Sequence, residues 1–118
     1  MLSGILPLKI VVEEKPQGHG YSEVIVDNEN PFFETGTVIK GHEFHYSKIY
    51  DYDKSLKTTF SVKRGTGCYN KRDGLSYKNV CASYIHIHSI ATPEWAKGMI
   101  NCAKKYNELK KTEILIER

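Results

Sequence analysis

Only one stretch of this chain spaces its apolar residues as a helix does. Trp95, Met99, Cys102, Tyr106 and Leu109 recur every three or four residues, which places them along one helical face. The start is marked too. Thr92 offers a capping hydroxyl, Pro93 suits the first helical position, and Glu94 favours the positive end of the helix dipole. The apolar stripe reads as core, while the intermixed Lys104, Lys105, Glu108, Lys110, Lys111, Glu113 and Glu117 read as a solvated face. Residues 114–116 fit either a short terminal strand or a frayed tail. With a single helix available, the remainder of the chain must build itself from strands.

Five runs answer that demand. Residues 5–12, 21–26, 37–50, 58–63 and 80–87 are rich in Val, Ile, Phe, Tyr and Thr, the residues that suit a pleated, half-buried surface. Between them lie turn signals: Lys15-Pro16-Gln17-Gly18-His19-Gly20, Asp27-Asn28-Glu29-Asn30-Pro31 and Arg64-Gly65-Thr66-Gly67. Five strands and one helix leave one sheet face uncovered. The chain is therefore either a small β-rich domain or a unit that needs partner elements, and composition does not choose between them.

Other classes are easier to exclude. A chain of 118 residues, 40% hydrophobic and 26% charged, can bury a modest core. A net charge of +3 is too small and too dispersed for a nucleic-acid surface. No apolar run reaches the roughly 20 residues of a membrane span, and the opening segment lacks the basic lead and long apolar core of a secretory signal. Cys68, Cys81 and Cys102 form an odd, widely spaced set. That argues against a disulfide framework and a structural zinc site, and fits a reducing cytoplasm.

The histidines carry the chemical interest. His42 and His45 bracket Glu43 in Gly41-His42-Glu43-Phe44-His45-Tyr46-Ser47, and His86 and His88 stand two apart in Ser83-Tyr84-Ile85-His86-Ile87-His88. On a strand, His86 and His88 would share a face, whereas His42 and His45 would point to opposite faces. Such a set could hold zinc or iron with a carboxylate, although the spacing is not that of the His-Glu-x-x-His metalloproteases. Alternatively, one imidazole could serve as a general acid–base, or all could be hydrogen-bonded strand residues. No cysteine advertises itself as the nucleophile such a base would need. Cys81 and Cys102 fall in apolar patterns, and Cys68 lacks a strand-to-helix elbow. Gly18-His19-Gly20 and Gly65-Thr66-Gly67 do not continue into a phosphate-binding run.

Taken in order, Gly4-Ile5-Leu6-Pro7, Lys15-Pro16-Gln17-Gly18-His19-Gly20-Tyr21, Gly41-His42-Glu43-Phe44-His45-Tyr46-Ser47, Asp73-Gly74-Leu75, and Ala82-Ser83-Tyr84-Ile85-His86-Ile87-His88 with Pro93-Glu94-Trp95-Ala96 resemble the C-terminal glutamine amidotransferase domain of cobyrinic acid a,c-diamide synthases. The resemblance covers nearly the whole chain. It implies an α/β fold, here the C-terminal portion of a class I, triad-type amidotransferase domain occupying residues 1–118, strand-rich with one main C-terminal helix. It implies glutamine as the substrate of the complete domain. A cysteine attacks the side-chain amide, a histidine shuttles its proton, and the ammonia released serves ATP-dependent amidation of a tetrapyrrole carboxylate. The family's catalytic histidine falls at His86. Glu43, His45 and His88 match positions with a possible supporting or glutamine-site role.

One departure matters. The family's nucleophile sits in a Cys-Gly-Gly elbow upstream of the segment matched by Gly4-Ile5-Leu6-Pro7, and no cysteine of this chain precedes a glycine. The expectation is a chain inactive alone, with no metal or cofactor of its own. A partner chain or N-terminal half would supply the nucleophile and the synthetase domain, and ATP and Mg would belong to that synthetase domain. A metal-binding β-rich domain and a non-catalytic docking subunit stand as alternatives.

Overall fold

The computed structural model describes residues 4–117; the first three residues of the opening segment read above lie outside the described residues. Eight strands and one helix follow in order: β1 (Leu8–Val12), β2 (Gly18–Val26), β3 (Val38–His45), β4 (Ser47–Tyr52), β5 (Lys57–Arg64), β6 (Arg72–Tyr77), β7 (Val80–Ala82), β8 (His86–Ile87) and α1 (Glu94–Ile116). β1 and β4 form a two-stranded sheet, and the others form a six-stranded sheet in the order β7-β6-β5-β2-β3-β8. The pairings are antiparallel. The expectation of α/β content, strand-rich with one C-terminal helix, holds at that level.

β7 and β8 sit at opposite edges of the six-stranded sheet, yet residues 83–85 alone separate them in sequence. The sheet must curl until its edges approach. A buried carboxylate fastens the curl. Asp73 of β6 accepts backbone N–H bonds from Tyr84 and Ile85, each at 3.1 Å, across that gap. Curling also answers the uncovered-face problem, because the inward sides of the strands cover one another. Val24, Val26, Ile39, Phe60, Val62 and Ile85 pack there with Phe33, and a second cluster joins Ile49, Leu56, Cys68 and Leu75.

Several strand expectations need correction. The run at 37–50 is two strands, not one: the chain bends at Tyr46 and passes from the larger sheet to the smaller. The run at 80–87 divides between the two edges for the reason just given. β2 begins at Gly18, so Gly18-His19-Gly20 is strand and not turn. Residues 114–116 are neither terminal strand nor frayed tail, because α1 continues through Ile116. Arg72–Tyr77 is a further strand, outside the five runs that the residue pattern marks.

α1 departs further from its sequence reading. Pro93 is its N-cap, and among the described residues no side chain caps it. Thr92 is buried, but its hydroxyl makes no hydrogen bond among the described residues; it contributes its carbonyl to the Trp95 N–H instead. Among the described residues none in α1 is buried. The stripe expected to face a core lies open: Trp95, Met99, Tyr106 and Leu109 are exposed, and Cys102 is half-buried. The helix meets the body at Gly98, where an added Cβ would lie 1.7 Å from the Phe32 carbonyl oxygen. No helix is long and apolar enough to cross a membrane among the described residues.

Candidate functional site

His86 lies on an edge. β8 is two residues long and, among the described residues, pairs only with β3, through Gly41↔Ile87 and His42↔His86. The approach is close at Gly41, where a Cβ would fall 2.2 Å from the His86 carbonyl oxygen and 2.9 Å from Ile85 Cγ1. Glycine is thus what lets the histidine-bearing segment lie against β3. The His86 side chain is exposed, and its ring centroid is 4.7 Å from that of His42, with the planes inclined by 55°.

His88 follows the strand and is exposed as well. Its Nδ1 accepts the Ile90 N–H at 3.3 Å, and its carbonyl accepts the Thr92 N–H at 2.9 Å, so it shapes the turn leading to α1. His86 and His88 line one open surface pocket with Tyr21, Lys40, His42 and Ala91.

Strand alternation sends Glu43 and His45 the other way. Both are buried inside the curl, while His42 is exposed, as their spacing predicted. The Glu43 carboxylate accepts N–H bonds from Thr66 and Gly67 at 3.1–3.2 Å and sits 3.4 Å from His45 Nε2. The carbonyl of Ser47 lies 2.7 Å from His45 Nδ1, and the His45 ring stacks on Tyr84 at 3.8 Å with an interplanar angle of 11°. Tyr84 also meets the Ser47 hydroxyl through its own, at 2.6 Å. The structure therefore joins His42 to His86, and places Glu43 and His45 on the far face of β3, gripping the 66–67 loop and the residue two places before His86.

Asp73, which the sequence marks only as part of Asp73-Gly74-Leu75, holds the same segment from the β6 side. Burial pushes its carboxyl above the usual carboxylate range. The N–H groups of Gly74, Tyr84 and Ile85 oppose that, and the Glu43 charge adds to it. No sequence signal marks a buried carboxylate whose donors lie 11 and 12 residues away.

Two of the cysteines, Cys68 and Cys81, are held away from thiolate character by burial. Cys68 is buried, and burial with the Asp73 charge pushes its thiol up to about 12. Burial likewise raises Cys81. Such thiols stay protonated near neutrality and are poor nucleophiles. Nor does the Gly65-Thr66-Gly67 loop suit a phosphate, since the Thr66 and Gly67 amides that might cradle one are committed to Glu43. Among the described residues, no three His, Cys, Asp or Glu side chains are grouped to share a metal ion.

The CobB/CobQ-like glutamine amidotransferase domain family matches residues 1–93. Cobyrinate a,c-diamide synthase of Magnetococcus marinus is 40% identical over 95 residues, 80% of this chain and 20% of the relative. The synthases of Methanosphaera stadtmanae and Methanobrevibacter smithii are 38% and 34% identical over 84% and 86% of the chain, and 22% and 23% of their own lengths. The chain thus spans about a fifth of the length of the curated relatives it matches. No solved structure matches it.

Proposed function

This chain belongs to the CobB/CobQ-like glutamine amidotransferase domain family, and from that premise we propose that it is the histidine-bearing portion of a glutaminase unit whose cysteine is supplied from outside these 118 residues. In this reading His86 takes the proton of that cysteine as the sulfur attacks the glutamine side-chain carbonyl. The imidazolium then gives the proton to the departing amine, ammonia leaves, and a glutamyl thioester remains. Water, deprotonated by the same imidazole, hydrolyses the thioester to glutamate and regenerates the thiol. The ammonia would amidate carboxylates of a cobyrinate-type tetrapyrrole in an ATP- and Mg-dependent synthetase domain, as the names of the relatives suggest. The carrying observation is the placement of His86: an exposed imidazole on a two-residue edge strand, where another segment can reach it.

The test has two parts. The purified chain alone should release no ammonia from glutamine; activity there that His86→Ala abolishes would overturn the proposal. Co-expressed with the Magnetococcus marinus synthase lacking its matching segment, the chain should restore glutaminase activity. His86→Ala should then lower that activity by about 10²–10⁴-fold.

A second reading, a non-catalytic docking subunit, draws on the exposed apolar stripe of α1. It calls for a partner that co-purifies with the chain, with function indifferent to His86→Ala.

A further inference from the structure

The two backbone pairings of β8 hold His86 at its Cα, but they leave the direction of its ring to side-chain packing. The register supplies the packing. His42 is directly opposite His86, and Tyr21 of β2 is directly opposite His42. One row of rings therefore crosses three strands on a single exposed face. At its other end the Arg64 guanidinium lies over Tyr21, 5.8 Å from the ring centroid. Within this row His42 is the ring in contact with His86, at 4.7 Å.

A base that must meet a sulfur brought by another segment needs its nitrogen held in one direction, and misplacement by about 1 Å can lower a rate on the order of 100-fold. We infer that His42 is a positioning residue, whose ring braces the His86 ring against rotation toward solvent. The inference rests on the reading of His86 as proton carrier, while the bracing is a property of this chain alone. The contact is ring against ring and needs a flat side chain at position 42, not specifically an imidazole. That sets His42→Phe apart from His42→Ala.

Both variants alter an exposed side chain, so the fold should survive. The first experiment uses the 118-residue chain, labelled at its histidine ring carbons, and measures ring order parameters by NMR relaxation. The His86 ring should be restricted in wild type and in His42→Phe, and freely mobile in His42→Ala. Equal ring mobility in wild type and His42→Ala would overturn the inference whatever His86 does. The second experiment uses the pairing with the truncated Magnetococcus marinus synthase. Here kcat for glutamine should fall on the order of 10–100-fold in His42→Ala with KM unchanged, and recover most of the loss in His42→Phe. Loss of activity in His86→Ala with an unchanged kcat in His42→Ala sinks the role of His42 and spares that of His86. Full activity in His86→Ala sinks the role of both.

Discussion

Phe60 in β5 is 1% exposed and meets Phe33 edge-on with ring centroids 5.7 Å apart, whereas Leu109 in α1 is 65% exposed. Both residues are strongly apolar and both belong to regular patterns, yet only one pattern is covered. The sheet closes on itself because distant groups fasten it: Asp73 takes N–H bonds from residues 84 and 85, and Glu43 from residues 66 and 67. Among the described residues α1 has no such fasteners, and it touches the body closely at Gly98. Periodicity tells which side chains share a face, and only long-range contacts tell whether anything lies against it.

If that contrast is right, the sheet should be the sensitive region, and Phe60→Ala should be its sharpest probe. Removing a fully buried ring leaves a cavity beside Phe33 and should lower stability by about 3–5 kcal/mol, read from the urea midpoint at constant m. A loss below about 1 kcal/mol would mean that the curled interior is not the core of the molecule in solution.

Asp73→Asn probes the fastener. The amide presents one acceptor where the carboxylate presents two, so an N–H of residue 84 or 85 loses its partner, at a cost of about 1–3 kcal/mol. The pH dependence adds a sign. Burial raises the Asp73 carboxyl in the folded state above its ordinary value, so the folded protein holds that proton more tightly than the unfolded chain. The stability this supplies is complete below the unfolded pKa of about 3.9 and is lost as pH rises through the higher folded value. Asparagine has no such proton. The stability gap between wild type and Asp73→Asn should therefore narrow as pH is raised from about 4, and a gap that widens would contradict the assignment.

Gly41→Ala should act more locally. Its methyl group would collide with the His86 carbonyl, and a two-residue edge strand can retreat at modest cost, about 1–2 kcal/mol. Amide exchange at Ile87 should quicken more than exchange in β5. A uniform change across the sheet would show that β8 is integral to the closed structure and not an edge that yields.

How much of this was legible in the residues follows the same division. The helix between Glu94 and Leu109 was visible because its spacing is local, and so were the strands where apolar residues alternate. β6 was hidden because Arg72-Asp73-Gly74 carries turn-type residues, and nothing nearby reveals that the Asp73 carboxylate is satisfied by residues 84 and 85. The breaks at Tyr46 and at residues 83–85 were hidden because β-forming residues run through both. At the site, the His-x-His segment and the Gly41–Ser47 motif could be picked out, and the opposed facing of His42 and His45 follows from alternation. That His42 contacts His86, while His45 stacks on Tyr84, depends on the register of β3 with a strand whose His86 pairs His42 from 44 positions downstream, which no local pattern encodes.

The smallest effect is expected where the sequence pointed most strongly to burial. Leu109→Lys alters the C-terminal end of the apolar stripe, and in a buried core such a change would leave an uncompensated charge and lower stability severely. On the exposed face seen here it should shift stability by no more than about 0.5 kcal/mol. Lysine is as good a helix former as leucine, and its stem can lie along the surface while the ammonium stays in water. The measurement is the urea midpoint of the isolated chain, with helicity by circular dichroism to confirm that α1 persists. A loss of about 2 kcal/mol or more would mean that α1 is covered in the isolated chain in solution. The stripe from Trp95 to Leu109 would then be core after all, and the contrast between sheet and helix would fall with it.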